Sequence, residues 1–120
     1  MNLITCEDLK AKIDSGHEFK LVMSYHENGY KMKHIPGSIN IYSQETIAAL
    51  LDISDEIVVH CINESCAASI NAYHLLDQAG YENICRFAGG LQDWEEHGYP
   101  LEGDQVDQML EPDNNFLINA

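Results

Sequence analysis

One stretch decides the fold, and it reads Ile57-Val58-Val59-His60-Cys61-Ile62-Asn63-Glu64-Ser65-Cys66-Ala67-Ala68. A short, mostly β-branched run ends at a cysteine, and a helical pattern begins after five further residues. This order predicts a buried strand, a tight loop and a helix whose N-terminus lies close to the cysteine. The N–H groups at a helix N-terminus favour negative charge, and they therefore favour a thiolate over a thiol. Cys61 is the candidate nucleophile.

Strand and helix patterns alternate on both sides of this stretch. Strands are predicted at residues 19–23, 39–41 and 83–87, and helices after Thr5, after Ser43, from Ala67 and from Leu91. The pair Asn28-Gly29 predicts a turn. Strands that alternate with helices form a mainly parallel sheet with helices on both faces. The sequence therefore predicts a three-layer α/β fold.

The acidic composition limits the partners of this chain. Its 120 residues carry 20 acidic side chains against six Lys and Arg, which gives a formal net charge of −14. Nucleic acid and anionic lipid both need a cationic surface, so neither is an expected partner. The length and the 45% hydrophobic content indicate one domain with its own core.

The cellular compartment is predicted from what the sequence lacks. No apolar run approaches the roughly 20 residues that span a bilayer, and the first residues show no secretory signal. We therefore expect a cytoplasmic protein that does not associate with a membrane. Thiols stay reduced there, so we expect thiols at Cys6, Cys61, Cys66 and Cys85. These cysteines form no Cys-x2-Cys pair, and no metal site is predicted.

Three segments of the chain resemble signatures of the single-domain rhodanese family of sulfurtransferases. They are Lys33-His34-Ile35-Pro36-Gly37-Ser38-Ile39-Asn40-Ile41, the stretch 57–68, and Phe87-Ala88-Gly89-Gly90-Leu91-Gln92-Asp93-Trp94 followed by Gly98-Tyr99-Pro100. The resemblance implies a three-layer α/β/α fold with a central, mainly parallel five-stranded sheet, in a rhodanese-like domain at residues 1–102. Residues 103–120 are expected to form an acidic C-terminal tail or a short extra helix.

The resemblance also implies a persulfide mechanism. In such enzymes the loop cysteine, here Cys61, takes a sulfane sulfur from a small-molecule or protein persulfide donor. It then passes the sulfur to a thiol or another nucleophilic acceptor, and no cofactor is implied. The amides of the active-site loop are expected to surround the sulfur, and the loop consists of Ile62, Asn63, Glu64, Ser65 and Cys66. Amides in this position would stabilise the anionic persulfide.

The loop departs from the family pattern in its charge. It has no Arg or Lys, and Glu64 stands where the family often has glycine. A cation would help to bind an anionic donor such as thiosulfate, whereas Glu64 would repel it and raise the pKa of Cys61. The alternative is a Glu64 that points into solvent. Efficient use of thiosulfate is therefore in doubt, and a polysulfide or protein-bound donor is favoured.

Cys66 has two interpretations. It could resolve an oxidised or persulfidated Cys61 by forming a disulfide, or it could be a small filler at the start of the helix. A thiol redox switch built on Cys61 and Cys66 is therefore one alternative function. A catalytically quiet rhodanese-like module that binds or regulates a partner is another. A phosphatase is rejected, because its loop would be one residue longer and would contain an Arg.

Overall fold

The computed structural model describes residues 1–112 of the chain. Within this part, helices and strands alternate. The strands are β1 (Lys20–Met23), β2 (Ile39–Asn40), β3 (Ile57–His60) and β4 (Ile84–Phe87). The helices are α1 (Cys6–Asp14), α2 (Glu27–Met32), α3 (Gln44–Leu50), α4 (Ala67–Gln78) and α5 (Gly90–Glu96). None of these helices is long and apolar enough to cross a lipid bilayer.

The strands form one parallel sheet in the order β2-β1-β3-β4. In its register, His60 at the end of β3 pairs with Met23 on one side and Phe87 on the other. All four residues of β3 are buried, as expected for a strand covered on both faces. The carboxyl ends of parallel strands meet at one edge of the sheet, and Cys61 leaves β3 at that edge.

The expectation of five strands is wrong for the described residues, which form four. The nearest approach to a fifth strand is a single parallel bridge between Leu3 and Arg86. The Arg86 backbone bonds Asn2 and Ile4 on either side of this bridge. Thr5 then caps α1 by accepting the amide of Asp8, so the N-terminal segment turns into a helix before a longer ladder can form.

The predicted turn at Asn28-Gly29 is also wrong, because both residues lie inside α2. His26 caps this helix, and its Nδ1 accepts the amide of Gly29 at 3.0 Å. A Cβ at position 29 would collide with the ring of Tyr25. Gly29 therefore allows a close contact between the helix and an aromatic side chain rather than a reversal of the chain.

Residues that follow α5 pack back onto the domain. Leu110 is buried in the hydrophobic core, and the hydroxyl of Tyr25 donates to the carbonyl of Glu111 at 2.6 Å. No helix or strand follows α5 within residues 1–112. The rest of the predicted tail or extra helix, residues 113–120, lies outside the described residues.

His60 is a titratable group in the core of the sheet. Its imidazole is completely buried, and burial lowers its pKa from 6.5 to about 4, against a smaller opposing effect from the Val22 backbone. Between these two values the unfolded chain binds more protons than the folded chain. Stability therefore falls as the pH drops from 6.5 towards 4.

We predict that His60→Leu flattens this part of the stability profile. In the parent chain, the contribution of His60 should lower the free energy of unfolding by on the order of 2 kcal/mol when the pH falls from 6.5 to 4.5. Urea unfolding at both pH values measures the difference. His74→Gln, on the exposed side of α4, serves as the control and should keep the parent slope. An unchanged slope in His60→Leu would contradict the assignment.

Candidate functional site

The predicted order of strand, loop and helix is present at Cys61. β3 ends at His60, the Cys61 loop (residues 61–66) follows, and α4 begins at Ala67 with Cys66 as its N-cap residue. Cys61 is only 1% exposed, although it stands at the edge of the sheet. The site therefore holds its sulfur beneath the loop, close to the N-terminus of α4.

Cys61 and Cys66 are joined by a disulfide, with their Cα atoms 6.3 Å apart. This distance lies within the normal range for a disulfide. The structure shows that Cys66 reaches Cys61. Both cysteines are buried, and the expectation of thiols at these two positions is wrong for this form, because the curled loop brings the two sulfurs together.

Asn63 shapes the Cys61 loop from inside. Its Oδ1 accepts the amide of Ser65 at 3.0 Å and the Ser65 hydroxyl at 2.9 Å. Its backbone carbonyl accepts the amide of Cys66 at 3.1 Å. These bonds curl the chain so that position 66 returns towards position 61. The loop amides were expected to surround the sulfur, but those of Ser65 and Cys66 donate to Asn63 instead.

Helix α5 holds the other side of the loop. The amides of Leu91 and Gln92 donate to the carbonyls of Cys61 and Ile62, each at 2.9 Å. Gly90 makes this approach possible with a φ of 68°, since a Cβ there would lie 2.7 Å from the Ile62 carbonyl oxygen. Glycine at position 90, the first residue of α5, is therefore a requirement of the site.

We predict that Gly90→Ala damages both the fold and the site. Its cost should exceed that of Gly98→Ala, because Gly98 has a similar φ of 74° but open space around its Cα. Gly98→Ala should cost about 1 kcal/mol, and Gly90→Ala roughly 2 kcal/mol more. Urea unfolding measures both, and alkylation of reduced Cys61 reports the position of the loop. Equal losses in the two variants would contradict a steric role for Gly90.

The solvent side of the Cys61 loop is acidic. An open cavity of about 650 Å³ is lined by Asn63, Glu64, Ser65, Gly89, Gln92, Asp93 and Glu96. The acidic rim, defined as Glu64, Asp93 and Glu96, contributes three carboxylates, and no Lys or Arg is among these lining residues. Glu64 is exposed, so its charge acts at the mouth of the site. The rim therefore disfavours small anions.

The buried side of the loop has a cation that sequence analysis missed. Arg86 on β4 is 7% exposed, and its Nε donates to the Ser69 hydroxyl in the first turn of α4 at 2.9 Å. Burial lowers the pKa of Arg86, and the charge of Glu64 opposes that change. Glu64 and Arg86 therefore act on each other electrostatically. The sequence signal for this cation was a single arginine within the otherwise apolar strand β4. That strand lies far from the loop in sequence, so the signal did not point to the site.

Within residues 1–112, the structure brings one group of metal-ligating side chains together. Cys6, Asp93 and His97 offer ligand atoms within 4.8 Å of one another. The spacing of these residues could not reveal this group, since they come from the two ends of the domain. His97 already bonds the Glu7 carboxylate at 2.7 Å and the Asp93 carbonyl at 2.8 Å. The bond to Glu7 links α1 to the end of α5.

Burial is the main cause of a raised pKa at Cys6, which lies at about 11, and the charges of Asp93 and Glu7 add to it. Cys6 is therefore a poor nucleophile at neutral pH. It packs in the core, and Cys85 lies partly buried on β4.

One family model and several known proteins match the chain. A family model described as the rhodanese-like domain matches residues 5–97. The chain is 28% identical over 110 residues to thiosulfate sulfurtransferase 18 of Arabidopsis thaliana, covering 80% of this chain and 79% of that protein. It is 29% identical over 101 residues to an HTH-type transcriptional regulator of Mycobacterium tuberculosis, covering 82% of this chain and 44% of the regulator.

A solved structure supports the same fold. The crystal structure of a Bacillus halodurans protein matches with a TM-score of 0.84 at 22% identity, covering 92% of this chain and 84% of that chain. At this identity the likeness concerns the fold alone.

Proposed function

Since the chain belongs to the rhodanese-like domain family, we propose that it is a sulfurtransferase working through a Cys61 persulfide. The observation that carries the proposal is the position of Cys61, which leaves the central strand β3 and lies close to the N-terminus of α4. This position favours a thiolate. The Arabidopsis relative, which is named a thiosulfate sulfurtransferase, supports the same reaction class.

The reaction begins with reduced Cys61. Its thiolate attacks the sulfane sulfur of a donor, the bond between that sulfur and the rest of the donor breaks, and the donor leaves with the electron pair. A nucleophilic acceptor then attacks the outer sulfur of the persulfide and restores the Cys61 thiolate. This cycle requires Cys61 as a free thiol, and a reducing compartment keeps it in that form. We therefore propose that the protein works in the cytoplasm.

The acidic rim supports a choice of donor. Glu64, Asp93 and Glu96 repel a dianion such as thiosulfate before it reaches Cys61. A persulfide on a protein or an organic molecule carries less charge at its reacting end. We therefore propose that such a persulfide, rather than thiosulfate, is the efficient donor.

We predict that the reduced chain takes up sulfur at Cys61. To hold the persulfide for measurement, Cys66→Ser is exposed to inorganic polysulfide without oxygen, and its intact mass should rise by one sulfur atom. The double variant Cys61→Ser, Cys66→Ser should take up none at the loop. Failure of Cys66→Ser to load sulfur from polysulfide and from an organic persulfide would leave the quiet binding module as the better function.

We predict that Glu64→Gln improves the use of thiosulfate. The kcat/KM for thiosulfate, measured as thiocyanate formed from cyanide, should rise roughly threefold to tenfold at low salt and less at high salt. The control Glu45→Gln removes an exposed charge on α3 and should change little. A gain in both variants, or one that ignores salt, would contradict a local effect of Glu64.

The disulfide favours a second candidate function, a thiol redox switch. Oxidation that joins Cys61 to Cys66 removes the thiolate that sulfur transfer needs, and reduction restores it. Mild peroxide treatment should therefore abolish thiocyanate formation from a sulfane donor and cyanide in the parent chain, and a dithiol should restore it. Thiocyanate formation that continues in the oxidised chain would rule out this switch.

A further inference from the structure

The disulfide shows that the second cysteine of the Cys61 loop reaches the sulfur of the first. We propose that Cys66 resolves the Cys61 persulfide and releases hydrosulfide, so that the chain reduces persulfides at the expense of a dithiol. This inference rests on the proposed function, because it needs a persulfide on Cys61. It adds an activity in which the sulfur acceptor is replaced by a thiol of the chain itself.

The reach of Cys66 is built into the loop. The bonds from Asn63 to Ser65 and Cys66 curl the loop, and the amides of α5 hold its first two carbonyls. None of these bonds involves a sulfur atom. They therefore hold Cys66 beside Cys61 when the disulfide is open, and a neighbouring group of this kind reacts as if it were highly concentrated.

Burial gives Cys66 an advantage over an external acceptor. Cys61 is 1% exposed and Cys66 is fully buried. An external thiol must open the loop to attack the persulfide, whereas Cys66 is already inside. The acidic rim also repels the thiolate form of an external acceptor, which is its reactive form.

The step balances without an outside oxidant. The Cys66 thiolate attacks Sγ of Cys61, a bond forms between the two cysteine sulfurs, and the bond from Cys61 Sγ to the sulfane sulfur breaks. The sulfane sulfur leaves with the electron pair as hydrosulfide and is thereby reduced. The two cysteines are oxidised to the disulfide that the structure holds.

A dithiol completes the cycle. The loop must open for this step, because both sulfurs are buried. One sulfur of the dithiol then attacks the Cys61–Cys66 disulfide to form a mixed disulfide, and its second sulfur displaces the remaining cysteine. The dithiol becomes a disulfide and both cysteines regain their thiols. Each persulfide sulfur released as hydrosulfide therefore consumes one dithiol.

The test exposes reduced protein to an organic persulfide without oxygen, and its intact mass is measured before and after blocking with iodoacetamide. Before blocking, the parent chain should be two hydrogens lighter than the reduced chain and carry no added sulfur; after blocking, its Cys61–Cys66 pair should be unalkylated. Cys66→Ser should end one sulfur heavier. Cys85→Ser, which removes a cysteine outside the loop, should behave like the parent chain.

A turnover assay gives the second readout. With excess organic persulfide and dithiothreitol, sulfide and oxidised dithiothreitol should appear in equal amounts, and Cys66→Ser should slow sulfide release by about tenfold or more. A parent chain that keeps the added sulfur, on either cysteine, while Cys66→Ser also loads it would overturn the resolution step alone. A Cys66→Ser chain that loads no sulfur would overturn the proposed function as well.

Discussion

The site depends on one close approach between two pieces of backbone. The first amides of α5 bond the carbonyls of Cys61 and Ile62, and they reach them because position 90 has no Cβ. The parallel register makes this meeting possible, since it pairs His60 with Phe87 and so brings the chain after β4 alongside the chain after β3. Gln92 of the same helix also accepts a bond from the Asn63 side chain at 3.0 Å. Helix α5 thus fixes the loop at its start and at its middle.

Charge is distributed unequally around the Cys61 loop. Arg86, beside β3 in the sheet and bonded to the first turn of α4, supplies positive charge from the buried side. The acidic rim supplies negative charge on the side that faces solvent. Charges that face solvent act mainly on approaching molecules, whereas a buried charge is less screened. The rim therefore affects which donor and acceptor enter more than it affects the sulfur itself.

The local parts of this site could be predicted from sequence. The bounds of β3 and the start of α4 follow from an apolar run and a helical pattern that meet at Cys61, and both are confirmed. The predicted turn at Asn28-Gly29 failed for a local reason, because His26 caps a helix in which Gly29 lies against the ring of Tyr25. The fifth strand depends on distant residues and is reduced to a bridge between Leu3 and Arg86.

The unpredicted parts of the site have the same origin. Arg86 lies near the first turn of α4 only because β4 pairs with β3. The Cys61–Cys66 bond stayed an open alternative in the sequence, since the two positions meet only when the loop is curled. That curl requires Asn63 to bond inside the loop and α5 to dock against it.

A buried nucleophile under an acidic rim presents a chemical problem that Cys66 would solve. Burial and negative charge both slow an external acceptor, so a persulfide formed at Cys61 would persist and block the site. A second thiol within the loop clears the persulfide before another molecule enters, and the loop then has to admit only the dithiol that reduces the disulfide. The resulting disulfide also protects Cys61, because a cysteine in a disulfide cannot be oxidised directly to the irreversible sulfinic and sulfonic acids. The Cys61–Cys66 disulfide would then both complete the release of hydrosulfide and protect the sulfur of Cys61 between turnovers.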